Sequence, residues 1–216
     1  MKRYEFSAEE RMRTQLVGIP RQKMMRLCLW LTAASFVLAA AGNVWIHPVQ
    51  FRPDLSRFVL DVLVPLCVTL PMFLVHELLH ALGFVLCGAR IGEISFGCNL
   101  RAGILYCACP LPLTPQKYRF VALLPFCVTL LGTLAAILFG NVWWCVCCAV
   151  LIGGAAGDLI AAKRARALPR KVRILDHPFL PAYYVIWPEG GVPQELPPLT
   201  KEAEQALEKE YFVSGK

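Results

Sequence analysis

The sequence predicts an all-α polytopic membrane protein with about four transmembrane helices and a small cytoplasmic β-hairpin between helices two and three. Composition gives the first reason: 57% of the 216 residues are hydrophobic and only 17% are charged. A mean hydropathy of +0.54 is the second, because soluble domains of this length are more polar. The third is that the apolar residues form runs long enough to cross a bilayer.

The first two spans are predicted at 27–46 and 58–87. A basic segment, 1–26, precedes the first span, and it is too long and too charged to be the start of a signal peptide. The second run exceeds one straight span. We therefore expect Pro65 and Pro71 to kink it or to set off its first part as an interfacial turn.

The third and fourth spans are predicted at 120–140 and 142–162, with Asn141 in a tight turn between them. Glycines in the fourth run favour close helix packing. These are Gly153, Gly154 and Gly157. A polar tail follows, with a short helix predicted near 200–211.

Between the second and third spans the pattern changes from long apolar runs to local alternation with several glycines and prolines. We interpret 91–99 and 103–109 as two short strands joined by a turn near 100–101. A β-hairpin is the expected result.

The lysines and arginines are distributed unevenly among the connections. Seven precede the first span, two lie in the first connection, four in the second, none in the third, and nine follow the last span. The positive-inside rule therefore places both termini and the hairpin in the cytoplasm of a cell-membrane protein. The net charge of +7 reflects this topology and not nucleic-acid binding. The expected divisions are a basic segment (1–26), a membrane domain (27–187) and a cytoplasmic tail (188–216).

The second span contains the motif that carries chemistry, His76-Glu77-Leu78-Leu79-His80, which reads H-E-x-x-H. Residues four apart lie on one face of a helix, so His76 and His80 can direct nitrogens at one zinc ion. Glu77 then lies beside the metal, where a carboxylate can take a proton from water. The alternative is a pair of histidines satisfied by backbone or side-chain partners. Ionisable groups are costly inside a span, which favours a functional role.

A catalytic zinc site has three protein ligands and an open position, and Asp158 is our prediction for the third ligand. It lies inside the fourth span, at a depth similar to that of the motif. Its alternative role is an ion pair with Lys163 or Arg164. Asp176 and His177 are further candidates if the chain folds back beneath the membrane.

The ten cysteines favour neither a disulfide framework nor a thiolate metal site. Seven of them fall in apolar runs, where cysteine behaves as a small hydrophobic residue. Cys107 and Cys109 lie in the predicted cytoplasmic hairpin, where free thiols are expected. A structural zinc site needs four ligands, and this one pair does not supply them.

Four segments in order, "HELLHALGF", "YCACPLPLTPQKYR", "GGAAGDLI" and "DHPF", resemble a family of small bacterial membrane proteins described as putative zincin peptidases. The resemblance covers roughly 60–187. More distantly, the chain resembles the site-2 intramembrane metalloproteases. That resemblance implies zinc bound by His76, His80 and Asp158, with Glu77 as the base. Site-2 proteases carry an asparagine or similar residue and a proline shortly before the aspartate, and this chain has neither there.

The function predicted from these features is a zinc metallopeptidase of the HExxH type, acting on membrane proteins or peptides near the cytoplasmic side. The hairpin has two alternative roles. Its edge strand would hold an unwound substrate by strand addition, or the hairpin is a simple cytoplasmic cap. The alternative function is a non-proteolytic membrane protein with a structural or sensory zinc site, in which His177 or Cys107 would be the fourth ligand. A cation transporter ranks last, because it needs several carboxylates along a path, and apart from Glu77 of the motif only Asp158 lies well inside a predicted span.

Overall fold

The computed structural model describes residues 4–47, 55–99, 104–140, 142–178 and 180–191, together with residues 202, 205, 206 and 209. Within these residues the elements, in chain order, are α1 (Ala8–Met12), β1 (Thr14–Gly18), α2 (Arg21–Ile46), α3 (Leu55–Leu86), a 3-10 turn (Ile91–Glu93), β2 (Ser95–Asn99), β3 (Ile104–Ala108), α4 (Pro115–Phe139), α5 (Val142–Gly154), α6 (Ala156–Arg166), β4 (Arg173–Asp176) and β5 (Ala182–Ile186). The predicted turns near 100–101 and at Asn141 lie outside the described residues, as does most of the predicted helix at 200–211.

The fold is mostly helical, as predicted. In the described residues, α2, α3 and α4 are long and apolar enough to cross a membrane, and α5 with α6 can supply a fourth span. Large apolar side chains on the outer faces of these helices are exposed, among them Trp30, Leu38, Leu70 and Leu131. Exposed apolar surface of this extent suits contact with lipid, not with water.

Helix α3 continues through both of its prolines. Of the two alternatives predicted for this run, the separate interfacial turn is therefore wrong. Pro65 is fully buried against the protein, and a proline inside a span is tolerated where neighbouring helices cover the disturbed backbone.

The fourth span is not the single helix predicted at 142–162. It bends by 43° between α5 and α6. Two glycines end α5 at this bend: a Cβ at Gly153 would overlap Thr32 of α2, and one at Gly154 would lie 3.0 Å from the Phe73 ring of α3. The last turn of α5 is therefore packed closely against two helices, and α6 begins at Ala156 in a new direction.

A three-stranded antiparallel sheet, with strand order β1-β5-β4, lies at one end of the helices and was not predicted. Thr14 pairs with Ile186, and Arg173 pairs with the same residue from the other side. All five residues of the central strand, β5, are buried. Because β1 and β5 pair, the segments that enter α2 and leave α6 lie on the same side of the helices.

The β-hairpin is present where it was predicted. Strands β2 and β3 pair in antiparallel register from Ser95↔Ala108 to Asn99↔Ile104, although 91–93 form a 3-10 turn instead of strand. The ring of Tyr106 lies directly over Gly97, where a Cβ would overlap it. The hairpin packs along α3.

Two contacts tie the helices together at opposite ends. At the sheet end, a buried core joins α3, α4, α6 and the sheet through Phe84, Val121, Ala165 and Ile174. At the other end, the Asn43 amide of α2 donates hydrogen bonds to the carbonyls of Ala136, Ile137 and Gly140, at 3.2, 3.2 and 3.1 Å. The end of α2 is therefore fixed to the end of α4.

This arrangement predicts the result of a topology experiment. Reporter fusions at residues 50 and 141 should read as external, because the ends of α2 and α4 meet and the connections there carry few cations. Fusions at 110 and 185 should read as internal. Alkaline phosphatase and fluorescent-protein reporters measure the two sides, and an external signal at 110 would contradict an inward-facing hairpin.

Candidate metal centre

Three side chains converge at the centre of the helices. His76 and His80 occupy one face of α3, one turn apart, with ring centroids 5.0 Å apart, and both are buried. The Asp158 Oδ2 atom lies 3.1 Å from Nε2 of His76 and 3.5 Å from Nε2 of His80. All three ligand atoms lie within 4.8 Å of one another.

The donor set fits zinc. Tetrahedral zinc binds imidazole nitrogen and carboxylate oxygen at 2.0–2.2 Å, which separates neighbouring ligand atoms by about 3.3 Å. The two measured nitrogen–oxygen distances, 3.1 and 3.5 Å, lie on either side of that value. Three protein ligands leave a fourth position open, which is the arrangement of a catalytic site.

The bend between α5 and α6 gives Asp158 its place, in the first turn of α6. Neither alternative ion pair, with Lys163 or with Arg164, is found among the described residues: Lys163 is exposed, and the Arg164 guanidinium donates to the carbonyl of Gly18 at 2.7 Å. The carboxylate of Asp158 faces the two histidines instead. A charge that would be costly alone inside the span thereby has two imidazoles beside it.

The ring of His80 is held from its other side. Its Nδ1 lies 3.0 Å from the carbonyl oxygen of Val121 on α4. A carbonyl only accepts, so Nδ1 carries a proton, and in the neutral ring Nε2 is then the nitrogen whose lone pair a metal would bind. This is the outer partner that orients most metal-binding histidines.

Glu77 lies beside the cluster and not within it. It is half-buried, it lines the same cavity as both histidines, and its carboxylate faces the backbone N–H of Cys107 on β3. A carboxylate next to a metal position, but outside the ligand set, is placed to exchange a proton with water held there.

The comparison with known families agrees with this geometry. Residues 69–173 match the model of a family described as "Putative zincin peptidase". The match confirms the family resemblance that the sequence motifs indicated, and it spans the HELLH segment and Asp158. No curated protein and no solved structure matches the chain.

A cavity of about 550 Å³ surrounds the zincin motif. Its walls come from α2, α3, α4, both halves of the broken span, β3 and the unpredicted sheet. Most of the side chains that line the cavity are apolar, and the polar ones include Glu77, Tyr118 and Asp176. Its volume and mixture of surfaces suit an extended organic substrate.

Asp176 and His177 line this cavity, as expected if the chain folds back, but they are not part of the three-residue cluster. Asp176 accepts a hydrogen bond of 2.8 Å from the hydroxyl of Tyr118. Burial raises the pKa of Asp176 from 3.8 to about 6, although the Tyr118 bond lowers it. The ring nitrogen Nδ1 of His177 accepts from the Leu180 N–H at 3.1 Å. Tyr118 was not singled out from the sequence, although it lies in the "QKYR" of the resembling segment.

All ten cysteines are free thiols. Cys107 lines the cavity, but no cysteine belongs to the described metal cluster. Burial raises the pKa of the Cys107 thiol well above its usual range.

Substituting any one of the three cluster residues should remove the bound zinc. His76→Ala, His80→Ala and Asp158→Ala should each reduce zinc from about one per chain to near zero, because two remaining ligands hold the ion weakly. Elemental analysis of the purified protein measures this. His47→Ala is the matched control and should retain zinc, since His47 bonds the Leu138 carbonyl far from the cluster. If Asp158→Ala kept full zinc while His177→Ala lost it, the third ligand would be His177.

Proposed function

We propose that this chain is an intramembrane zinc metallopeptidase that hydrolyses peptide bonds of membrane-associated substrates near the cytoplasmic side. The observation that carries the proposal is the cluster of His76, His80 and Asp158, with Glu77 beside it, between apolar helices. The family match over 69–173 supports peptidase chemistry. We further propose that both termini are cytoplasmic, and that the working unit extends from β1 to β5, because these strands pair.

Each residue has a separate task in the proposed reaction. Zinc held by the three ligands would polarise the scissile carbonyl and lower the pKa of a water to about 7. Glu77 accepts a proton from the attacking water and then delivers it to the departing amide nitrogen. Val121 keeps His80 in the tautomer that binds metal. The apolar cavity walls exclude bulk water, which strengthens the electrostatic interactions inside.

The hairpin offers a way to present the substrate. A peptide in a helix hides its carbonyls in hydrogen bonds, so it must be extended before it is cut. In an antiparallel ladder, successive residues direct their N–H and C=O groups alternately to one side and the other. The N–H of Cys107 faces Glu77, so the edge of β3 that faces away from β2 borders the cavity. A substrate added to this edge as a further strand would lie next to the base.

A structural zinc site is the competing function, and the position of His177 in the cavity wall is the observation that favours it. A fourth protein ligand would close the open position and prevent catalysis. The two functions differ in what they require of Glu77. A hydrolase needs its carboxylate, whereas a structural site does not.

Glu77→Gln therefore separates the two functions. We expect folding and zinc content to stay unchanged, because this side chain is not a ligand, and peptide cleavage to slow about 100-fold or more. Membrane proteomics of cells carrying each form measures the effect: single-span proteins should accumulate at full length in the variant. Glu9→Gln, on an exposed residue of α1, is the matched control. If no protein accumulates while His76→Ala destabilises the chain, the structural function is correct.

A further inference from the structure

We propose that Pro125 and Gly83 are positioning residues for the metal centre, which together supply His80 with its backbone partner at Val121. Neither residue contacts the metal position. The inference rests on the zinc site of the proposed function, but it does not depend on peptide hydrolysis.

Pro125 explains why the Val121 carbonyl is available. In an α-helix each carbonyl accepts a hydrogen bond from the N–H four residues later. Four residues after Val121 comes Pro125, inside α4 and fully buried, and proline has no N–H. The proline ring also pushes that carbonyl away from the helix axis. A carbonyl left without a donor inside a span is costly, and the Nδ1 of His80 meets it at 3.0 Å.

Gly83 explains how the two helices come close enough. It lies three residues after His80 on α3, on the face that meets α4. A Cβ at this position would lie 3.2 Å from the Cα of Val121 and 3.4 Å from its Cγ2. The distance to the Val121 Cα is tighter than an ordinary van der Waals contact, so a side chain would push the two backbones apart by a few tenths of an ångström. The absence of a side chain therefore lets α3 approach the Val121 carbonyl.

The consequence for His80 is a fixed ring and a fixed tautomer. With its proton on Nδ1 and bonded to Val121, the Nε2 lone pair is directed toward the position shared with Asp158 Oδ2, 3.5 Å away. A backbone carbonyl on a packed helix does not rotate or ionise, unlike a side-chain partner. Loss of an outer partner of this kind typically weakens metal affinity 10–100-fold.

The first test compares two prolines. Pro125→Ala restores an N–H that competes for the Val121 carbonyl, and Pro65→Ala is the matched control, because Pro65 is also fully buried inside a span. Zinc affinity is measured on the full chain in detergent micelles, by competition with a chromophoric chelator. We expect Pro125→Ala to bind zinc about 10–100-fold more weakly and Pro65→Ala to match the wild type.

The second test compares two glycines and reads the hydrogen bond directly. Gly83→Ala should also weaken zinc binding, whereas Gly132→Ala should not, because a Cβ at Gly132 meets no atom within 4 Å. Nitrogen-15 NMR of labelled histidine resolves the four histidines of the chain, and the His80 Nδ1 resonance should shift in both Pro125→Ala and Gly83→Ala. Unchanged affinity and an unchanged resonance in both variants would overturn the inference. A wild type that binds no zinc would instead refute the zinc site itself, and the inference with it.

Discussion

The cost of placing ionisable groups inside an apolar span is the constraint on which the rest of this structure depends. A single carboxylate or cation at the centre of a spanning helix costs about 3 kcal/mol when unpaired. Here three histidines and three carboxylates line one cavity among apolar helices, and two of each belong to the helices. They are tolerated because His76, His80 and Asp158 face one another. A bound divalent cation would offset the remaining cost and give the group its chemistry.

Glycines and a proline determine where these ionisable groups lie. The glycines allow close helix packing, and the proline leaves a backbone carbonyl free. Gly153 and Gly154 allow α5 to pack closely against its neighbours, and the span then bends so that Asp158 is in the first turn of α6. Gly83 and Pro125 bring a free carbonyl to His80. In an ordinary soluble core such residues weaken a helix. In this chain they lie where neighbouring helices cover the irregular backbone, beside the cluster of His76, His80 and Asp158.

Features with strong local signals were predictable from sequence. Hydropathy predicts the spans, and the four-residue spacing of His76 and His80 predicts that they share a helix face. Asp158 was identified because it lies at a depth in its predicted span similar to that of the motif. The sheet was not predicted, because β1 and β5 are short, lie at opposite ends of the chain and are specified mainly by pairing with each other. The bend near Ala155 depends on contacts between helices. The Val121 carbonyl has no side-chain signature, although Pro125, four residues later, marks it in retrospect.

X-ray absorption at the zinc edge of the purified protein tests the central claim most directly. The account predicts a first shell of four nitrogen and oxygen ligands at about 2.0–2.1 Å, with scattering from two imidazoles and none from sulfur. One of the four should be a water oxygen, because the account gives the ion only three protein ligands. A third imidazole, a sulfur ligand or a fully closed shell of protein ligands would contradict an open catalytic site built from His76, His80 and Asp158.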